Sequence, residues 1–167
     1  MADHPVTQLR SRLMSSYSKI LVAIDLSDES GQVLDRARDV AKEGTELALI
    51  HVVKPIEHVY GGFGAVGLAG DFSAQMATLE QQAVQHAEAR IAEIGSELGV
   101  PEARQFTPVG NASSEIHRVA DEIGADLVVI GSHGRHGLGL LLGSTANAVL
   151  HGARCDVLAV RVSLEED

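Results

Sequence analysis

The sequence predicts a doubly wound α/β fold: a single domain around a five-stranded parallel sheet. Three observations carry that prediction. Short apolar runs alternate with stretches of helical periodicity along the whole chain, which is the signature of repeated βαβ units with right-handed crossovers. The runs are apolar without alternation, as strands buried on both faces must be. Hydrophobic residues make up 45% of the 167 residues but aromatics only 3%, so the core is aliphatic.

The first run covers residues 20–24 (Ile-Leu-Val-Ala-Ile) and stops at Asp25-Leu-Ser-Asp-Glu-Ser30. Ser27 is placed to cap a following helix, with Asp28 and Glu29 in a first turn that favours acids. Val33, Leu34, Ala37, Val40 and Ala41 then recur at helical spacing, and Gly44 offers a stop. A second strand is expected over 47–53, broken only by His51 and ended by Lys54-Pro55. The glycine-rich segment 61–70 that follows is too long for an ordinary turn and suggests a flap. Residues 73–98 read as a long amphipathic helix with Met76, Leu79, Ala83, Ala87, Ile91, Ile94 and Leu98 on its apolar side.

A weaker third strand is expected over 105–109, and a helix over 113–123 turns Ile116, Val119, Ala120 and Ile123 inward. Residues 127–130 (Leu-Val-Val-Ile) form the clearest strand. A short helix over 143–151 and a last strand over 157–162 complete the pattern. Residues 1–18 are polar, lack a stretch of signal-peptide length and read as a flexible extension. The domain proper then occupies 19–163, with an acidic tail at 164–167.

Thirteen Lys and Arg against 23 Asp and Glu give a formal charge of -10. Such a balance argues against nucleic-acid binding, which depends on basic side chains, and against anionic membrane surfaces. No segment has the length of a transmembrane helix. A single cysteine, Cys155, can form neither an intrachain disulfide nor a cysteine metal site, which suits a reducing cytoplasm. Arg154 beside it could lower the thiol pKa, although a structural thiol is the simpler reading.

The functional signal lies after strand four: Gly131-Ser-His-Gly134-Arg-His-Gly137-Leu-Gly139-Leu-Leu-Leu-Gly143-Ser144-Thr145. This segment leaves a buried strand and enters a helix N-terminus, whose unpaired N–H groups and partial positive charge suit a phosphate. Glycines allow close approach of oxygens, and Ser132, Ser144 and Thr145 add hydroxyl donors. Between Leu127 and Ser163 stand three Arg (Arg135, Arg154, Arg161) and one acid, Asp156, so positive potential concentrates here in an acidic chain. A plain turn remains the alternative for any glycine cluster. The P-loop pattern fails because no Lys precedes Ser144, and the dinucleotide fingerprint fails because no glycine triplet follows strand one.

In the strand order 3-2-1-4-5, strands one and four are neighbours where the order reverses, and ligands bind at such a point. Asp25 and Gly131 then face one crevice. A carboxylate there could hold a ribose hydroxyl or, through water, a metal ion on phosphates. Capping of the next turn is its structural alternative.

Taken together, these features resemble the universal stress protein family over nearly the whole of 19–162. The resemblance rests on Ile24-Asp25-Leu-Ser27, on Leu49-Ile-His51-Val52, and on Val109-Gly110. Leu127-Val-Val-Ile-Gly-Ser-His-Gly134 and Gly143-Ser144 ahead of Val157-Leu-Ala-Val160 complete it. It implies an adenine-nucleotide α-hydrolase-like fold and ATP, or another adenine nucleotide, as ligand, with Mg2+ as a candidate companion. The phosphate side would comprise Gly131, Ser132, His133, Gly134, Arg135, Gly143, Ser144 and Thr145. Asp25 would sit by the nucleoside, Val52 would meet adenine through its backbone, and Ala23, Ile24 and Gly110 would complete the pocket. The ATP-binding branch places nine residues between the second and third glycines; here Arg135 to Leu142 are eight. The resemblance also implies a homodimer joined through the last strand, an apolar edge that invites a partner.

Catalytic chemistry is thinly provided. Gly143-Ser144-Thr145-Ala146-Asn147 does not match a hydrolase nucleophile elbow. His133 and His136 offer a metal site in principle, but zinc asks for three or four ligands with a supporting shell, and solvated loop histidines are the simpler reading. His51 reads as a half-buried, satisfied residue. Arg135 and His136 are the candidates to assist phosphoryl transfer, with Ser144 or Thr145 as acceptor, so turnover would be slow. Three readings stand: a nucleotide-binding stress-response regulator, a slow ATPase or autophosphorylating enzyme, and a structural stress dimer without nucleotide.

Overall fold

The computed structural model describes residues 17–55, 71–132 and 142–162, with side chains of the long helix described from residue 74. Among these, the elements are β1 (Lys19–Ala23), α1 (Ser30–Val40), β2 (Glu46–Ile50), α2 (Asp71–Leu98) and a 3-10 turn (Glu102–Arg104). They continue with β3 (Gln105–Phe106), α3 (Ala112–Ile123), β4 (Leu127–Gly131), α4 (Ser144–Gly152) and β5 (Asp156–Val160). All strand pairs are parallel and the order is β3-β2-β1-β4-β5, the expected one. The glycine-rich segment 61–70 lies outside the described residues.

The period-two alternation of strand side chains splits the core into two halves, one on each face of the sheet. Ile20, Val22, Leu49, Leu127 and Val129 pack with Val33 and Ala37 of α1 and Ile91 of α2. Leu21, Ala48, Ile50, Val128 and Ile130 pack with Ile116 and Val119 of α3 and Ala146 and Val149 of α4. Helices therefore cover both faces, which is why the central strands read as continuous apolar runs.

Local differences from the sequence reading have identifiable causes. β3 is shorter than 105–109 because Pro108 has no N–H to continue a ladder. Pairing resumes only at Val53 and Val109, where Val53 N–H donates to the Pro108 carbonyl at 2.9 Å. α1 starts at Ser30, not directly after Ser27. Ser27 belongs to the preceding turn, its hydroxyl donating to Asp25 and its carbonyl accepting the Ser30 N–H at 3.0 Å, and Glu29 stands at the N-cap without a side-chain cap.

Only the second half of α2 carries the expected inward stripe. Ala87 and Ile91 are buried, whereas Ala83 is exposed and Leu79 is 44% exposed. A 28-residue helix is about 42 Å long against roughly 17 Å for a five-residue strand, so half of it overhangs the sheet. α3 begins one residue early, at Ala112, because Asn111 caps it: its side chain accepts the Ser114 N–H at 3.1 Å.

Two close approaches knit the layers. Gly152 sits against His117 of α3, whose Nε2–H donates to the Val149 carbonyl at 2.9 Å. At the amino end of the sheet, Asp126 accepts from the Ser18 N–H and hydroxyl (2.8 and 2.9 Å) and from the Lys19 N–H (3.0 Å). Burial by itself would raise the Asp126 pKa, but these bonds together outweigh it and hold the group below its ordinary value. Tyr17 adds a bond to Asp156 at 3.0 Å, so Tyr17 and Ser18 are anchored to the domain.

Cys155 departs from the effect suggested for Arg154. Its thiol pKa is raised by burial first, then by Asp156, Asp121 and Asp126, and Arg154 pairs with Asp121 at 3.1 Å instead.

Candidate functional site

A parallel sheet ends all its strands on one side, so the carboxyl ends collect whatever the following loops carry. β1 ends at Ala23 and β4 at Gly131, in a register that pairs Ala23 with Ile130. One step further, Ile24 stands opposite Gly131, at the point where the strand order reverses.

On the β1 side, Asp25 organises a tight turn. Its Oδ1 accepts the Ser27 N–H (3.1 Å), the Ser27 hydroxyl (2.6 Å) and the Ser30 hydroxyl (3.1 Å). Between them Leu26 is held at φ 59, a left-handed conformation uncommon for a branched residue. Such strain is sustained only where surrounding bonds over-determine it, and it concentrates at functional turns. Asp25 thus does cap its turn, and the same bonds fix an exposed carboxylate at the mouth of the crevice. Ala23 and Ile24 do not line a pocket with their side chains, since each is 6% exposed and they enter opposite halves of the core. Only their backbone can face a ligand.

On the β4 side, Ser132 is 8% exposed, and its N–H donates to the Val160 carbonyl at 2.7 Å. Its own carbonyl accepts the Gly143 N–H at 2.6 Å, which docks the start of α4 directly beside the end of β4. Gly143 occupies the N-cap position without a side-chain cap, and Ser144 and Thr145 form the first turn. The N–H groups of that turn carry the partial positive charge of a helix start. His133, Gly134 and Arg135 lie outside the described residues. Among the described residues, no three His, Cys, Asp or Glu side chains come together as a metal site.

The β2 side is less conventional. His51 N–H donates to Phe106 O and Val53 N–H to Pro108 O, while Gly110 N–H donates to Val53 O at 3.0 Å. These bonds tie the segment, and Gly110 with it, to the β3 side. Val52 between them faces β1, and among the described residues neither its N–H nor its carbonyl has a partner. His51 itself reaches across the gap, its Nδ1 lying 3.0 Å from the Ile24 carbonyl. That contact could be anticipated only from the cross-strand register.

Ala23, Ile24, Asp25, Val52, Gly110, Gly131, Ser132, Gly143, Ser144 and Thr145 therefore all lie along one edge of the sheet. A model of the universal stress protein family matches residues 16–161. The chain belongs to that family. Universal stress protein A homolog 2 of Coxiella burnetii is 44% identical over 151 residues, covering 89% of this chain and 98% of its own. Universal stress protein A homolog 1 of the same organism is 43% identical over 145 residues, covering 86% and 96%.

Among solved structures, the hypothetical protein MJ0577 superposes with a TM-score of 0.74 at 24% identity, covering 90% of this universal stress protein and 99% of its own chain. That likeness is one of fold. A universal stress protein solved in complex with cAMP is 26% identical, with a TM-score of 0.56 and coverage of 89% and 100%.

Proposed function

We propose that this universal stress protein binds an adenine nucleotide, ATP with Mg2+, across the carboxyl edge of its sheet and acts as a regulatory homodimer. The observation that carries the reading is the start of α4. It has no side-chain cap, follows a glycine-rich loop and is docked by the Ser132–Gly143 bond next to the end of β4. A helix start so presented is an anion site, and phosphate is the anion it suits. The fixed Asp25 carboxylate lies on the nucleoside side, and the cAMP complex of a related protein supports adenine as the base.

β5 is an edge strand, flanked by a shallow groove lined by Arg36, Val40, Leu158, Ala159, Val160 and Arg161. A partner strand seated there would cover an unpaired edge. Nucleotide occupancy would then reach the dimer through β4 and β5, whose ends meet at Gly131 and Val160.

Thermal unfolding with millimolar ATP and Mg2+ tests the reading. Ligand at 100 times Kd adds about 2.7 kcal/mol, which for a chain of this size raises Tm by roughly 5–10 °C. Gly131→Val and Gly143→Val should abolish the rise. An unchanged wild-type Tm, with equilibrium dialysis showing no bound nucleotide, removes ATP as the ligand.

A further inference from the structure

In a parallel ladder, each residue whose N–H and carbonyl face the neighbouring strand makes two bonds to it, one on either side of its opposite number. Ile24 makes the first of these: its N–H donates to the Ile50 carbonyl at 3.0 Å. The pairing of Ala23 with Ile50 places Ile24 opposite His51, so the second bond should run from the Val52 N–H to the Ile24 carbonyl. It does not form. The Ile24 carbonyl is met instead by His51 Nδ1 at 3.0 Å, and Val52 keeps both backbone groups without a partner among the described residues.

A carbonyl oxygen only accepts, so the ring nitrogen that meets it carries the proton. The His51 side chain has taken the place of one rung of the ladder. Its neighbours rule out simple fraying, because the His51 and Val53 N–H groups are both bonded on the β3 side. The strands part on one side only, at the residue facing the crevice.

We propose that His51 is a positioning residue whose ring occupies the Ile24 carbonyl, parting β1 from β2 and keeping the Val52 N–H and carbonyl available to a ligand. A donor and an acceptor side by side on one residue match the edge of a heterocyclic base, which carries an acceptor nitrogen beside an amino group. The inference rests on the nucleotide reading only for what the Val52 backbone receives; the substitution of the rung stands on the described bonds.

Amide hydrogen exchange by NMR on the nucleotide-free full chain tests it directly. Val52 should exchange at least about tenfold faster than His51 and Val53, whose amides are bonded. In His51→Phe the vacated carbonyl recaptures the Val52 N–H, and Val52 exchange should slow by about tenfold. In His51→Gln, whose side-chain amide can still donate to Ile24, it should stay fast. Nitrogen chemical shifts of the wild-type ring should report a proton on Nδ1, a readout independent of whether His51→Phe folds. Val52 protected as well as its neighbours in the wild type, or a ring protonated only on Nε2, overturns the proposal.

ATP affinity should fall about tenfold in His51→Phe, the scale of one lost bond to a polar group, and hold in His51→Gln. Absence of ATP binding to the wild type would defeat the nucleotide reading while leaving the exchange pattern to decide the role of His51.

Discussion

Gly152→Ala should cost this domain about 2 kcal/mol, although it replaces a glycine near the end of a helix with the best helix former. A Cβ at position 152 would stand 2.3 Å from His117 Cε1 and 3.0 Å from both ring nitrogens. Carbon atoms rest at about 3.5–4.0 Å, so the ring must move by more than an ångström. It has little room to do so, being half-buried between α3 and α4 and tethered by its bond to Val149 O.

Overpacking of this kind costs about 1–3 kcal/mol, and losing the tether adds about 1 kcal/mol. Against these stands a gain of at most about 1 kcal/mol from reduced backbone freedom. The net loss of about 2 kcal/mol lowers Tm by roughly 4–8 °C in a chain of this size. Circular-dichroism melts of Gly152→Ala, His117→Ala and the double variant form the cycle that isolates the contact. With the ring removed, Gly152→Ala should be neutral or stabilising. An equal penalty on the His117→Ala background would place the cost somewhere other than this contact, and a Gly152→Ala melt matching the wild type would refute the reasoning outright.

Two further outcomes follow from the described bonds. Because Val160 O accepts from Ser132 within the sheet, the Ala159 backbone faces away from β4; Ala159→Pro should remove an outward donor and yield monomers by light scattering, with a wild-type dimer as reference. An Ala159→Pro variant that remains dimeric would move the interface off β5. The Asp126 carboxyl has a folded pKa below its unfolded one, so its contribution is present above about pH 4 and is lost as pH falls through the folded value. Asp126→Asn should therefore flatten the acid limb of the stability profile measured by urea melts from about pH 6 downward; an unchanged limb would discount the clasp to Ser18 and Lys19.

What could be read from sequence follows from which physical signals are local. β1, β2 and β4 are legible as apolar runs because burial on both faces is written into every residue of the strand. Asp25, Gly131 and Gly143 are legible as candidates because the ends of such runs come together at the carboxyl edge of a doubly wound sheet. β3 is obscured by Pro108 and by its edge position, which demands little apolar continuity. The overhang of α2 depends on the length of the sheet beneath it, and helical periodicity does not record that. Asn111 is a readable cap lying just ahead of the expected helix. Val52 and His51 are different in kind, because whether a backbone amide is paired depends on the register of a second strand.

The Ser132–Gly143 bond separates two things that a loop usually couples, its length and the position of its ends. With the stem pinned at 2.6 Å, residues can be gained or lost between the pinned ends without moving the sheet end or the helix start. The closure entropy of ten rather than eleven residues between the pinned ends differs by only about 0.1 kcal/mol. A one-residue change in the spacing of this motif is thus nearly free in closure entropy, with the base of the loop held by the same bond.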